Sequence, residues 1–589
     1  MLHLLAFADK PPVDVSEHID QSTLVLWLAF GLLVAFFALR PELWRRMWFR
    51  RIDPRPVGLL RIAVGISALW TFLDFLAIRV ELFTDEGLYI TEMARSKFGG
   101  DLRRLWDPQH GFENWTDLFK AMWGKFTPLH MRSDPPFVNF LFGSVFVSLG
   151  LVIVGFRTRL MTVISWVLVN WLYNYSPIFL TGGDTALRTF LFLCMFLRWG
   201  EAYSVDGWIR RRRAILRGAE ALPKPRPIPA WPTYLLMLQL TCIYFATGLL
   251  KSGNTWFNGH ALYYAMNLDH FYRVQWTGLV AFMHFLGLTQ LGTWITHYWE
   301  RLFPLALLGV MLRGWELDRA RGLVPHAALG RRVLSWICLA SIWAIFAYIF
   351  FLVVQYYYHQ GMGGVRLEVV TVQRMVLAAF AILPPVCIWG YLKLRRSYPH
   401  AHHVLLNWLL GKRLWLTLGL LFHAGIDISM NVGTFVQVMV APYFAWVTGK
   451  DVDGLWRWWY WRPANIGEVG RPRRARWALL QRFFDRLGYR VRPPAHIVRY
   501  GADEGTIRRV ALLRVWDLGE TFDYELDPKM APGQIRVEGP SGAVLEPARV
   551  QSILLRACPG LWWLRPLSFV PPLRALGAKL IGLPKIVGA

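Results

Sequence analysis

Apolar runs long enough to cross a lipid bilayer recur through the first 450 residues of this 589-residue chain. A spanning helix needs about 20 mostly apolar residues, because the hydrocarbon core is about 30 Å thick and each residue rises about 1.5 Å. Segments of this kind fall at 22–39, 57–78, 137–156, 160–180, 186–203, 233–250, 296–312, 334–355, 371–392, 414–430 and 433–448. The expectation is an all-α polytopic membrane protein with about eleven transmembrane helices. Segment 277–292 is amphipathic and is expected to lie at the interface.

Composition agrees. Charged residues make up 18% of the chain, against about 25% in an average soluble protein. The 31 tryptophans suit membrane–water boundaries, where the ring meets acyl chain and the N–H meets water. The formal charge of +26 comes from arginines between the apolar runs and in the tail. Zinc-finger spacing, RNP-type segments and basic zipper regions are lacking, so the charge reads as positive-inside topology and contact with anionic lipid, not as nucleic-acid binding.

The distribution of Lys and Arg sets the orientation. Segment 40–56 holds six arginines, while residues 1–21 hold one Lys against four acids. Segments 313–332 and 393–413 hold five basic residues each, while 356–370 holds one. An outside N-terminus and a cytoplasmic C-terminus in a cell membrane follow. Loop 80–136 is expected to carry amphipathic helices on the outer face.

The chain divides into 1–51 (a first transmembrane helix and basic inner loop), 52–450 (a multi-pass membrane domain) and 451–589 (a basic cytoplasmic tail). In the tail, 509–516 and 534–538 read as strands and 544–557 as a helix, giving a small α+β domain. The five cysteines form no CxxC pair, so neither a disulfide framework nor a metal site is indicated.

Ionisable residues inside spans are costly and point to function by default. His423, Asp427 and Asn431 recur at four-residue spacing, which puts them on one helix face. A carboxylate one turn from an imidazole fixes its tautomer and raises its basicity. The structural alternative is a polar seam joining helices. Lys251 sits at the outer end of a span. It is either a desolvated base or a lysine snorkelling to the interface. Glu300, with His297 three residues before it, is either a site residue or a helix-entry residue. Arg61 and Asp184, the latter in a Gly-Gly-Asp loop, read as structural more readily than as chemical.

Seven pieces in order resemble the HTTM family, the membrane module shared with vitamin K-dependent γ-glutamyl carboxylase. They are Asp53-Pro54 with GLLRIAVG, then GFRTRLMTVISWVL, the GGD loop, and Tyr203-Ser-Val-Asp206-Gly with its arginine run. GLLKSGNTW, ERLFP and FHAGIDISMNVGTF follow, and together they cover about residues 52–450. The resemblance implies an outer-facing site for a reduced vitamin K or menaquinone-type hydroquinone, with O2 and CO2 as co-substrates. It makes Lys251 the base and His423 its partner, with Asp427, Asn431, Glu300, Asp184 and Arg61 in support, and it implies no metal. A secreted peptide or protein would be the substrate, and the bilayer the other partner. The alternative is a non-enzymatic protein that binds lipid or quinone, or assists peptide maturation or export. Glu201 stands where the animal enzymes carry a histidine, and their large luminal β-rich region has no counterpart here. The tail weakly resembles the C-terminal part of DCC-type thiol-disulfide oxidoreductases, without their cysteine pair; Cys558 alone cannot cycle a dithiol.

Overall fold

A computed structural model of the chain describes residues 16–97, 126–175, 180–217, 225–251, 253–271, 273, 277–323, 327–357, 367–452, 496–517, 522–539, 542–558, 561, 564, 566–567, 570–580 and 582–588. Helices dominate, and the chain passes back and forth between two compact units. One comprises residues 1–51, 176–193 and 229–446; the other comprises 52–175, 194–228 and 447–589.

Among the described residues, six helices are long and apolar enough to cross a membrane, or up to eight if two bent pairs each count as one span. Several spanning-length helices are consistent with a membrane location. The expected eleven are not all present as such, for local reasons. The 160–180 segment forms the helix Thr158–Tyr175, which buries the polar Thr162, Ser165 and Asn174 beside its apolar Leu168, Val169 and Leu172. The helix in 186–203 stops at Cys194 after 13 residues. The 433–448 segment yields the short apolar helix Phe435–Trp446, α-helical to Val440 and 3-10 from Ala441, which is too short to cross the hydrocarbon core. Segment 277–292 forms the helix Thr277–Phe285, which bends by 76° into Leu288–Leu302. The 296–312 segment is interrupted at Pro304, where a new helix starts and runs to Ala320.

In the first unit, Thr23–Leu39 turns through 96° into the short helix Pro41–Trp48. Leu329–Tyr357 packs against both Ser16–Leu39 and Val369–Ser397. The apolar windows of the Leu329 and Val369 helices bury nothing within the protein, so their side chains are available to lipid. Val369–Ser397 stays helical through Pro384 and Pro385, as membrane helices tolerate.

In the second unit, Arg55–Leu76 packs on Pro135–Val154, which packs on Thr158–Tyr175. Both spans begin with an aspartate cap followed by proline, Asp53 accepting from the Arg55 N–H and Asp134 from Phe137, the favoured chemistry for a helix start. Of loop 80–136, Arg79–Phe83 and Thr91–Lys97 are helical, and 98–125 lie outside the described residues. Asp85 accepts from Ser133 at 2.7 Å and from the Thr91 N–H at 2.6 Å, pinning this loop.

The tail carries a four-stranded sheet ordered Phe522–Leu526, His496–Tyr500, Gln534–Glu538, Lys585–Ile586. The first two strands run parallel and the third antiparallel to His496–Tyr500. The 534–538 strand expectation and the helix within 544–557 (Pro547–Ala557) hold. Residues 509–516 are a correction: they belong to the helix Glu504–Trp516, started by Asp503 accepting from the Thr506 N–H. Their apolar run packs as a helix face, burying Val510, Ala511 and Leu513, and the helix makes the crossover that a parallel strand pair requires. Cys558 is fully buried in this core.

Candidate functional site

The site is assembled in the first unit from four helical segments. Trp231–Leu250 packs along Leu288–Leu302. A Cβ on Gly248 would lie 2.8 Å from the Arg301 amide nitrogen, so the glycine is what allows the two backbones to approach. Arg301 then donates from Nε to the Gly248 carbonyl at 2.8 Å and from Nη2 to the Lys251 carbonyl at 3.2 Å. These bonds satisfy carbonyls that a helix end leaves open, and they fix the point where Lys251 leaves the helix.

The Lys251 ammonium pairs closely with Glu300. The carboxylate is buried, its side chain 5% exposed, while the lysine side chain is 23% exposed. The Thr247 hydroxyl donates to the same carboxylate oxygen at 3.4 Å. The ammonium also stands 5.4 Å from the centroid of Trp256, within cation–π range, and the buried His297 stacks on that indole at 6.1 Å. Around them Leu250 and Phe257 are exposed, so the amine is reached from an apolar surface.

His423 is 1% exposed. Its Nδ1 lies 2.7 Å from the Gly419 carbonyl, and a carbonyl only accepts, so Nδ1 carries the hydrogen. In the neutral ring Nε2 is then the acceptor. It faces the Tyr244 hydroxyl at 3.3 Å, which lies 3.0 Å from the Tyr443 hydroxyl. The satisfied ordering is Tyr443 donating to Tyr244 and Tyr244 to His423. Tyr244 stands seven residues before Lys251, two turns along one face. Trp299, next to Glu300, packs edge-on against Tyr244 with centroids 4.8 Å apart and against His423 at 6.3 Å. The amine and the imidazole therefore belong to one neighbourhood.

The other expected residues are placed less directly. Asp427 does not hold the His423 ring: Gly419 takes Nδ1, and Asp427 faces Arg273 at 3.9 Å and Gln437 at 3.5 Å. Asn431 falls beyond the end of the helix at Ser429, is exposed, and donates its backbone N–H to Phe271. The one-face expectation fails there because a helical period holds only while the helix lasts. Asp184 caps the helix Gly182–Cys194 with Thr181 in a reciprocal box. A Cβ on the neighbouring Gly183 would come within 3.1 Å of the Phe435 Cα, and Phe435 stacks on His423 at 6.3 Å.

Arg61 belongs to the second unit. Fully buried, it donates to the carbonyls of Trp199 at 2.7 Å, Ala202 at 3.1 Å, Ile153 at 3.4 Å and Tyr203. This is a structural node. Glu201 pairs with Arg210 at 2.9 Å. Asp206 accepts from the backbone of Arg157 at 2.8 Å and of Thr158 at 2.9 Å.

Tyr244, Tyr443 and Trp299 are not among the residues that the sequence points to, whereas Trp256 closes the GLLKSGNTW segment. The available signal was the two-turn spacing of Tyr244 from Lys251; Tyr443 offers none. Among the described residues, no group of three or more His, Cys, Asp or Glu is placed to hold a metal ion. No protein-family model matches the chain, and no curated protein or solved structure is significantly similar to it.

Proposed function

We propose that this chain is a membrane enzyme that takes a proton from a lipid-borne hydroquinone, in the manner of the vitamin K-dependent carboxylases that its sequence resembles. The observation that carries the reading is the Lys251–Glu300 pair, a partly accessible amine on a buried carboxylate beside the Tyr443–Tyr244–His423 chain. In a weakly screened site, the ion pair and its proton-transferred neutral form lie closer in energy than they do in water, because each charge loses hydration. In the neutral form the Lys251 amine is free to take a proton, which leaves an ammonium beside a protonated Glu300 and a net charge of +1, balanced by the hydroquinone anion formed in the same step. His423, with Nε2 turned to Tyr244, supports a second proton acceptor two hydroxyls long. The surroundings suit a hydroquinone: an aromatic face at Trp256 beside a basic group reached from an apolar surface. A bound hydroquinone would supply the electrons for reaction with O2. The residues' part is to receive its hydroxyl proton at Lys251 and hold that proton in the pair.

A second reading is a lipid or quinone binder without turnover. The closeness of Lys251 to Glu300 favours it, since a fully paired ammonium is an anchor and not a base. Purified protein reconstituted with reduced menaquinone under O2 separates the two. Oxidation above a protein-free control, falling about 100-fold or more in Lys251→Ala, supports the enzyme. Equal oxidation in both proteins, with the quinone still bound, supports the binder.

A further inference from the structure

Between the short helix Pro41–Trp48 and the C-terminal end of Pro304–Ala320, the first unit holds a cleft of about 810 Å³ lined by Arg45, Arg46, Arg50, Arg321, Leu317 and Leu323, among others. Four guanidinium groups face one lining carboxylate, Asp318, which Arg50 occupies at 2.6 Å. Arg45 reaches only the exposed Glu42 at 3.4 Å, a contact of the weak surface kind. Arg46 and Arg321 have no ion pair among the described residues. The cleft is therefore a concentrated positive site whose only lining acid among the described residues, Asp318, is already engaged.

Its surroundings say what kind of anion suits it. The helix Pro41–Trp48, which carries Arg45 and Arg46, lies at 96° to the apolar helix Thr23–Leu39. An amphipathic helix turned across the end of a span lies in the plane of the membrane surface. Trp44 packs at a tilt against Trp48 with centroids 4.9 Å apart, and Trp48 meets Tyr234 in the first turn of the Trp231–Leu250 span at 6.3 Å. That aromatic cluster marks headgroup depth. Beside the arginines, Phe49 and Leu317 are each 53% exposed and Leu323 43%. Apolar side chains left bare beside guanidinium groups suit a ligand with a phosphate at one end and hydrocarbon at the other.

We propose that this cleft is a binding site for an anionic phospholipid, with the phosphate held by the free forks of Arg46 and Arg321 and the acyl chains lying along Phe49, Leu317 and Leu323. Guanidinium binds phosphate through paired N–H donors, and the volume falls within the usual range for ligand sites. The inference is independent of the hydroquinone reading, because it uses none of that site's residues.

The test is lipid retention by the full-length protein. Wild type, Arg46→Gln/Arg321→Gln and the matched control Arg331→Gln/Arg332→Gln are extracted from mixed phosphatidylglycerol–phosphatidylcholine vesicles, and bound lipid is counted by native mass spectrometry. Wild type and the control should retain phosphatidylglycerol preferentially, and the cleft variant should lose that preference by roughly 5- to 30-fold. Equal preference in all three proteins, or equal loss in the control, overturns the site. A second arm uses wild type alone in phosphatidylcholine nanodiscs. Added phosphatidylglycerol should raise the melting temperature and 10-fold more inorganic phosphate should not. Equal stabilisation by phosphate would mean that the cleft takes a soluble anion and not a lipid.

Discussion

The Tyr244 hydroxyl stands 3.3 Å from the one nitrogen of His423 that the Gly419 carbonyl leaves bare. The tautomer of the imidazole is thus set by its own helix, and the phenol chain is set by the tautomer. If this chain relays a proton, Tyr244→Phe should lower hydroquinone oxidation by roughly 10- to 100-fold while KM changes little. His423→Gln should cost about as much, and the double variant little more, because members of one relay are not additive. A Tyr244→Phe protein with full turnover would remove the relay from the mechanism.

Glu300 is the buried half of its pair and Lys251 the more accessible half. Glu300→Gln leaves an ammonium without its counter-ion. Because lysine retains some solvent, destabilisation should be about 2 kcal/mol, below the roughly 3–5 kcal/mol typical of a fully buried broken pair. Lys251→Met/Glu300→Leu removes both charges and should recover most of that loss in a detergent melting curve, while abolishing turnover. A double variant less stable than Glu300→Gln would mean that the pair's attraction exceeds its desolvation cost.

The membrane character was legible because twenty-residue apolar runs carry their own evidence. Span number was less so. Hydropathy cannot tell a long helix such as Leu329–Tyr357 from an apolar run like 433–448, which forms the short helix Phe435–Trp446. Lys251, Glu300 and His423 were singled out as polar residues in apolar sequence, and the fold groups them. Their mutual geometry was not legible, since the helix packing that brings Trp299 against both Tyr244 and His423 depends on a glycine at 248 and another at 419. The latter's Cβ would sit 2.2 Å from the Tyr443 hydroxyl. Asn431 was misplaced by extending a helical period two residues past the helix end.

Arg61 donates to four carbonyls from the Ile153, Trp199, Ala202 and Tyr203 positions. Arg61→Met would leave those acceptors buried without a partner, each costing about 1–3 kcal/mol before relaxation. The variant should accumulate poorly in membranes and melt well below wild type. Arg61→Lys restores the charge but not the fork, and should fall between them. Normal folding of Arg61→Met would show that other donors reach those carbonyls.

Asp503 ties the start of the tail helix to the neighbouring strand. It accepts from the Thr506 N–H at 2.9 Å and from the Gly533 N–H at 3.1 Å. The Thr506 side chain foremost, and then these backbone bonds, favour the ionised form and hold the carboxyl below its ordinary 3.8. The sign follows from linkage: a group whose folded-state pKa is depressed lends stability above its unfolded value and withdraws it as pH falls through the folded one. The contribution is therefore complete at neutral pH and fades only below about pH 4. Hydrogen exchange on the full chain should show residues 504–507 protected at pH 7 and losing that protection as the pH drops below 4. Asp503→Asn should flatten the dependence, because asparagine still caps a helix but does not titrate. Persistence of the same pH dependence in Asp503→Asn would assign it to another acid.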